Sequence, residues 1–194
     1  NKAKNNLLQP LSFLDMVVYN NPNNSINYVK ELHIAEPFNA ISADCMRTSV
    51  VFFLNELLYK TLREEEPNEA LFDYVVETLE ELDRAERLAP ELPIRFMLHL
   101  ATFIGLEPLD NQSHREPLFN HKEGRYQAPP SRHSAAIDPN RDYLLNDEQS
   151  SHLHYYLAWV HGQNEKPILP LSQRRQLIDL LISYFSIHLD DFGT

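Results

Sequence analysis

Cysteine, glycine and long apolar runs are scarce or missing in this 194-residue chain, and each shortage excludes something. The single cysteine, Cys45, excludes an internal disulfide and fits a reducing compartment. In an apolar helix it is expected to be buried rather than reactive. Four glycines leave little for phosphate-cradling loops, and neither GxxxxGK[ST] nor GxGxxG occurs. GxSxG, HExxH and CxxC are missing too, so nucleophilic and zinc-hydrolase chemistry have no foothold and the chain reads as non-enzymatic. No apolar run reaches the roughly 18 residues of a membrane span. The opening "NKAKNNLLQPLS" has no continuous apolar core, so no signal peptide is expected. It also lacks an initiating Met, and the natural N-terminus is expected to lie elsewhere.

Positive charge is the other shortage. Seventeen Lys and Arg face 28 Asp and Glu, for a net charge of −11. A uniformly acidic surface repels nucleic acid. The acidity is local, however. Residues 56–92 carry twelve Asp and Glu against four Lys and Arg, whereas residues 1–39 carry three of each sign. Other faces are therefore close to neutral.

What is present can fill a core: ten Phe, nine Tyr and 43% hydrophobic residues exclude disorder throughout. Residues 7–20, "LLQPLSFLDMVVYN", and 26–36, "INYVKELHIAE", alternate as strands around an Asn-rich turn at 20–25. Two strands alone are marginal, so this hairpin belongs to a larger sheet or docks on the helices C-terminal to it. From about residue 42 the period becomes helical. Ser42 is the expected N-cap of a first helix lined by Val50, Phe53, Leu54, Leu57, Leu58 and Leu62. Pro67 breaks it from a second helix, whose stripe is Leu71, Phe72, Val75, Val76, Leu79 and Leu82. Residues 91–106 are apolar nearly all round and predict a buried central helix stopped at Gly105. Residues 107–142 hold five prolines and no steady period, which predicts a long surface loop. A fourth helix over 146–161 is capped by Asn146 or Asp147 and stopped by Gly162; the last begins at Ser172. The fold class is mainly α: about five helices preceded by a β-hairpin.

Two sets of residues are candidates for chemistry. His114, His121, His133, His152, His154 and His161 cluster in the second half, but no ligand spacing supports a zinc site. They read as surface or hydrogen-bonding histidines, and no metal is expected. Arg174 and Arg175 stand at the N-terminal end of the last helix, where the dipole disfavours cations. They either pair with the acidic helices, at little gain, or form a cationic rim beside Leu177, Ile178 and Tyr184. Such a rim suits an acidic peptide with an aromatic anchor. Arg95 and Lys60 are the next cations of this kind.

The order of segments resembles the RecO family of bacterial DNA repair proteins. The residues that carry it are "ELLYKTLREEEPNEALFDYVVETLEELD" (56–83), "FMLHLATFIGLEPLDN" (96–111) and "LSQRRQLIDLLISYFSIHLDDFG" (171–193). The hairpin is similar to the last part of that family's N-terminal OB-fold. The resemblance implies two domains: residues 1–38, the end of an OB-fold, and residues 39–194, a helical C-terminal domain with its long loop at 107–142. It implies a recombination mediator in the cytoplasm at the nucleoid. Such a protein binds and anneals single- and double-stranded DNA and binds RecR. It also binds the acidic tail of single-stranded-DNA-binding protein, and helps load RecA. Lys2, Lys4, Tyr19, Tyr28 and Lys30 are what this chain retains for DNA. Arg174, Arg175, Leu177, Ile178 and Tyr184 are candidates for the tail. Many relatives carry a four-cysteine zinc module where this chain has 107–142, and its cysteines are absent here. The alternative is a stand-alone helical adaptor that binds only protein through its acidic helices.

Overall fold

The computed structural model describes residues 9–19, 26–62, 67–130, 141–190 and 192. The Asn-rich turn at 20–25, Lys2, Lys4, the acidic stretch 63–66 and His133 lie outside them. Among the described residues the order is β1 (Phe13–Tyr19), β2 (Tyr28–Glu36), α1 (Asn39–Ala43), α2 (Cys45–Thr61), α3 (Glu69–Arg84) and α4 (Leu92–Phe103). Then come β3 (Leu118–Asn120), β4 (Arg125–Gln127), a 3-10 turn (Arg141–Tyr143), α5 (Asp147–Val160) and α6 (Leu171–His188). Six helices after a two-stranded hairpin make the chain mainly α, as its periodicity predicts. Two compact units emerge: residues 1–56 with 73–88, and residues 57–72 with 89–194.

In the first unit β1 and β2 pair antiparallel, with Leu14 opposite Ile34 and Tyr19 opposite Tyr28. β1 starts at Phe13, six residues later than the alternation suggests, after Leu11 turns the chain with φ 55°. Ser42 is not the N-cap of a long helix. It lies inside the short α1, its hydroxyl donating to the Phe38 carbonyl at 2.6 Å. Asp44, in extended backbone, separates α1 from α2 and accepts the Met46 N–H at 2.8 Å. An acceptor side chain on extended backbone is what a helix start requires, and Asp44 supplies both. Cys45, the first residue of α2, is exposed rather than buried, because it precedes the apolar stripe. The core here is Ile41, Val51, Leu54, Leu79 and Leu82. Arg47 is buried with it; its guanidinium donates to the carbonyls of Leu82 and Ala85, closing the C-terminal end of α3. Those carbonyls have no partners within the helix, so a buried cation is tolerated there.

In the second unit α4 is the buried helix that its composition predicts. Leu92, Ile94, Phe96, Met97, Leu98, Leu100 and Ala101 are all buried. Gly105, at φ 72°, ends it, and the Leu106 N–H returns to the Ala101 carbonyl at 2.8 Å. Asn146 caps α5 in a reciprocal box with Gln149. Gly162, at φ 71°, stops that helix. Ser172 is not the cap of α6: the helix begins earlier, at Leu171 behind Pro170, with no side-chain cap. Pro170, at φ −56° and ψ 156°, holds non-helical extended backbone as the N-cap residue, so the helix starts directly after it.

The 107–142 segment departs most from expectation. It is not simply a surface loop. It holds the β3–β4 hairpin, and Phe119, Asn120 and Tyr126 are among the most buried side chains of the chain. Three-residue strands among prolines are too short to show a period.

Candidate functional site

The first candidate surface lies on β1–β2. Tyr19 and Tyr28 face each other across the ladder and are 59% and 67% exposed. Strands of this type favour aromatic residues, but such rings usually cover a core. Here the hairpin leaves Met16, Val17, Val18, Val29 and Ile34 exposed as well. The Lys30 ammonium stands 6.0 Å from the centre of the Tyr19 ring and 3.6 Å from the Glu31 carboxylate. Two aromatic faces in water beside an ammonium suit stacking on bases with a phosphate nearby. Lys2 and Lys4 cannot be placed with them, being outside the described residues.

The second surface, at the start of α6, is only partly what the sequence suggests. Arg175 is exposed and Ile178 half-buried. Arg174 donates to the Leu169 carbonyl, so its guanidinium holds the turn before the helix. Leu177 and Tyr184 point inward, 2% and 3% exposed. The Tyr184 hydroxyl donates to the Leu106 carbonyl at 3.0 Å, and burial pushes its pKa up to about 12. Both belong to the stripe Leu177, Leu181, Tyr184, Phe185 that packs the core. Neither is exposed to solvent as the apolar floor of a ligand site would be. Of the other cations, Lys60 donates to the Phe192 carbonyl at 3.0 Å, and Arg95 is half-buried on α4.

Two buried residues whose electrostatics involve Arg174 carry no signal in the sequence. Glu91, at the entry to α4, is 5% exposed; its carboxylate lies 3.6 Å from Lys166. Tyr156 is fully buried, and its hydroxyl has no hydrogen-bond partner among the described residues. Burial, then the charge of Glu91, pushes that hydroxyl up to about 12, while Arg174 pulls the other way. Electrostatic influence between residues so distant in sequence leaves no periodic signal.

Three of the histidines make structural hydrogen bonds. His154 meets Asp110 at 2.6 Å and His161 meets Glu107 at 2.5 Å, each tying α5 to the segment after α4. His188 donates to the His121 carbonyl at 3.0 Å. Burial, and secondarily His188, lowers the pKa of His121; burial, with Arg95 and His161, lowers that of His99. His114 is exposed and His152 half-buried. Among the described residues no three His, Cys, Asp or Glu side chains are grouped to hold a metal ion. Nor is any helix among them long and apolar enough to cross a membrane.

The family model "Recombination protein O C terminal" matches residues 42–193. This chain belongs to the RecO family. It is 27% identical to the DNA repair protein RecO of Bacteroides fragilis over 191 residues, 98% of this chain and 76% of that one. It is 28% identical to the RecO of Flavobacterium psychrophilum over 186 residues, 95% of this chain and 72% of that one. With the RecO of Porphyromonas gingivalis it shares 25% over 189 residues, covering 96% and 74%. No solved structure matches the chain significantly. Membership of RecO places the chain in a DNA repair family.

Proposed function

We propose that this chain is a non-enzymatic recombination mediator that binds and anneals DNA. The observation that carries the reading is the exposed Tyr19–Tyr28 pair with Lys30 beside it. In this reading residues 1–38 are the closing part of an OB-fold, and the two rings stack on bases of a single strand. The local charge of residues 1–39, three cations against three anions, does not oppose DNA as the 56–92 region would. The family resemblance adds RecR, the tail of single-stranded-DNA-binding protein and, indirectly, RecA as partners, in the cytoplasm at the nucleoid.

Arg175 and Ile178 are the surface contacts proposed for the acidic tail, with Arg174 behind them and Leu177 and Tyr184 supporting from the core. Cation and carboxylate form the strong part of such a contact. Fluorescence anisotropy of a labelled tail peptide and a labelled single-stranded oligonucleotide tests both halves. The chain binds each. Replacing Arg174 and Arg175 with Glu abolishes peptide binding and leaves far-UV circular dichroism and oligonucleotide binding unchanged. Peptide affinity that survives the double replacement rules these arginines out as the tail contact. Binding of neither probe favours a helical adaptor that docks partners on its acidic helices.

A further inference from the structure

The β3–β4 region raises a physical question of its own. A hairpin with strands of three residues is not stable alone. Small irregular segments of this kind are commonly held by a metal or by disulfides. This one is held differently.

Both outer edges of the hairpin are closed by hydrogen bonds. On the β4 side the Asn111 amide acts as a substitute strand: its Oδ1 accepts the Tyr126 N–H at 2.8 Å and its Nδ2 donates to the Tyr126 carbonyl at 3.0 Å. The Leu109 N–H adds a bond to the Gly124 carbonyl at 2.8 Å. On the β3 side the Phe119 N–H donates to the Ser150 hydroxyl at 3.0 Å, and the Phe119 carbonyl accepts from the Leu145 N–H at 2.9 Å. The turn between the strands is closed by Asn120, which is fully buried. Its Oδ1 accepts the N–H groups of Lys122 and Glu123 at 2.9 and 3.1 Å, and its Nδ2 donates to Gln127 at 3.3 Å. The interior is filled by Phe119 and Tyr126, ring centres 5.1 Å apart and edge to face. The Tyr126 hydroxyl donates to the Ser150 carbonyl at 3.0 Å.

We infer that this segment is a metal-independent knot, in which Asn111, Asn120 and Ser150 do by neutral hydrogen bonds what a four-cysteine zinc module does in many relatives. The family reading enters only through that comparison; the knot stands on its own contacts. Zinc sites are built from thiolate, imidazole and carboxylate. The side chains that close the hairpin are amides and a hydroxyl, and the Asn111 and Asn120 amides are engaged on both their oxygen and nitrogen atoms. The knot also fastens two helices of its unit. Ser150 ties it to α5. His188 reaches the His121 carbonyl from α6. Gly124 lies so close to α6 that a Cβ there would stand 2.9 Å from the Tyr184 hydroxyl.

The test is made on the whole chain and does not depend on DNA binding. The protein is purified with zinc present, dialysed and analysed for metal, and its thermal unfolding is followed with and without excess EDTA and phenanthroline. The expected result is far less than one zinc per chain and the same midpoint with chelator. Asn120→Ala lowers the midpoint by on the order of 5 °C and speeds amide exchange at Lys122 and Glu123. If Asn120→Ala does not fold, Asn120→Asp, which keeps the acceptor and loses the donor to Gln127, lowers the midpoint while amide exchange at Lys122 and Glu123 stays slow; an unchanged midpoint in that variant counts against the inference. One zinc per chain, removed by chelator with a fall in midpoint, overturns the inference. So does an Asn120→Ala protein as stable and as protected as the parent.

Discussion

The two hairpins are near opposites. β1–β2 has strands of seven and nine residues, Val- and Tyr-rich, in long register, yet it leaves apolar side chains exposed along both strands. β3–β4 has three-residue strands and almost no strand signature, yet it buries Phe119 and Tyr126 completely. The difference teaches that strand length and stability come from separate sources. A long ladder supplies hydrogen bonds, each modest in net effect. Burial of rings and closure of every backbone group supply the rest. The first hairpin is therefore suited to offering rings to a ligand, and the second to holding helices in place.

The largest effect expected from this contrast is at Phe119. Phe119→Ala removes a fully buried ring and is expected to cost about 3–5 kcal/mol in urea unfolding. A cost below about 1 kcal/mol would mean the ring is not a core residue. Gly124→Ala comes next, at about 2 kcal/mol. Its φ of 67° disfavours a side chain, and the new Cβ meets the Tyr184 hydroxyl. Tyr184→Phe should relieve part of that loss, and no relief would locate the strain in the backbone alone.

The pH dependence is smaller and has a definite sign. The pKa values of His121 and His99 are lowered from 6.5 in the folded chain. The unfolded state therefore binds protons first as pH falls. Their contribution is fully present above about pH 6.5 and is lost as pH falls below it toward the folded values. The unfolding midpoint should fall between about pH 7.5 and 5.5, and His121→Gln with His99→Gln should flatten that slope. An unchanged slope would assign the acid sensitivity to other groups.

Much of this was legible in the residues, and the remainder was hidden for physical reasons. The all-round apolar composition of 91–106 pointed to the central helix, and Gly105 and Gly162 to its stop and that of α5, because those signals are local. Asn146 was readable as a cap for the same reason. Ser42 and Ser172 misled, because a hydroxyl near a helix start does not decide which residue holds extended backbone; Asp44 and Pro170 did. Cys45 is exposed although it belongs to a helix, because helix membership does not fix a face. Tyr184 and Leu177 looked like a ligand's apolar floor, since a core stripe and a binding stripe have the same spacing. The amide knot was invisible, because Asn111 meets Tyr126 and Phe119 meets Ser150 across stretches without periodicity.

The smallest effect on stability is expected at the first hairpin. Tyr19→Ala with Tyr28→Ala should shift stability by no more than about 0.5 kcal/mol for each exposed site. The same double variant gives the most direct test of a DNA-stacking hairpin. Anisotropy of a labelled single-stranded oligonucleotide, at low salt, would be titrated with the parent chain and with the variant. Stacking is worth roughly 1–3 kcal/mol per base, so the variant should bind at least about tenfold more weakly while its unfolding curve is unchanged. Equal affinity of the two proteins would contradict a DNA-binding role for Tyr19 and Tyr28.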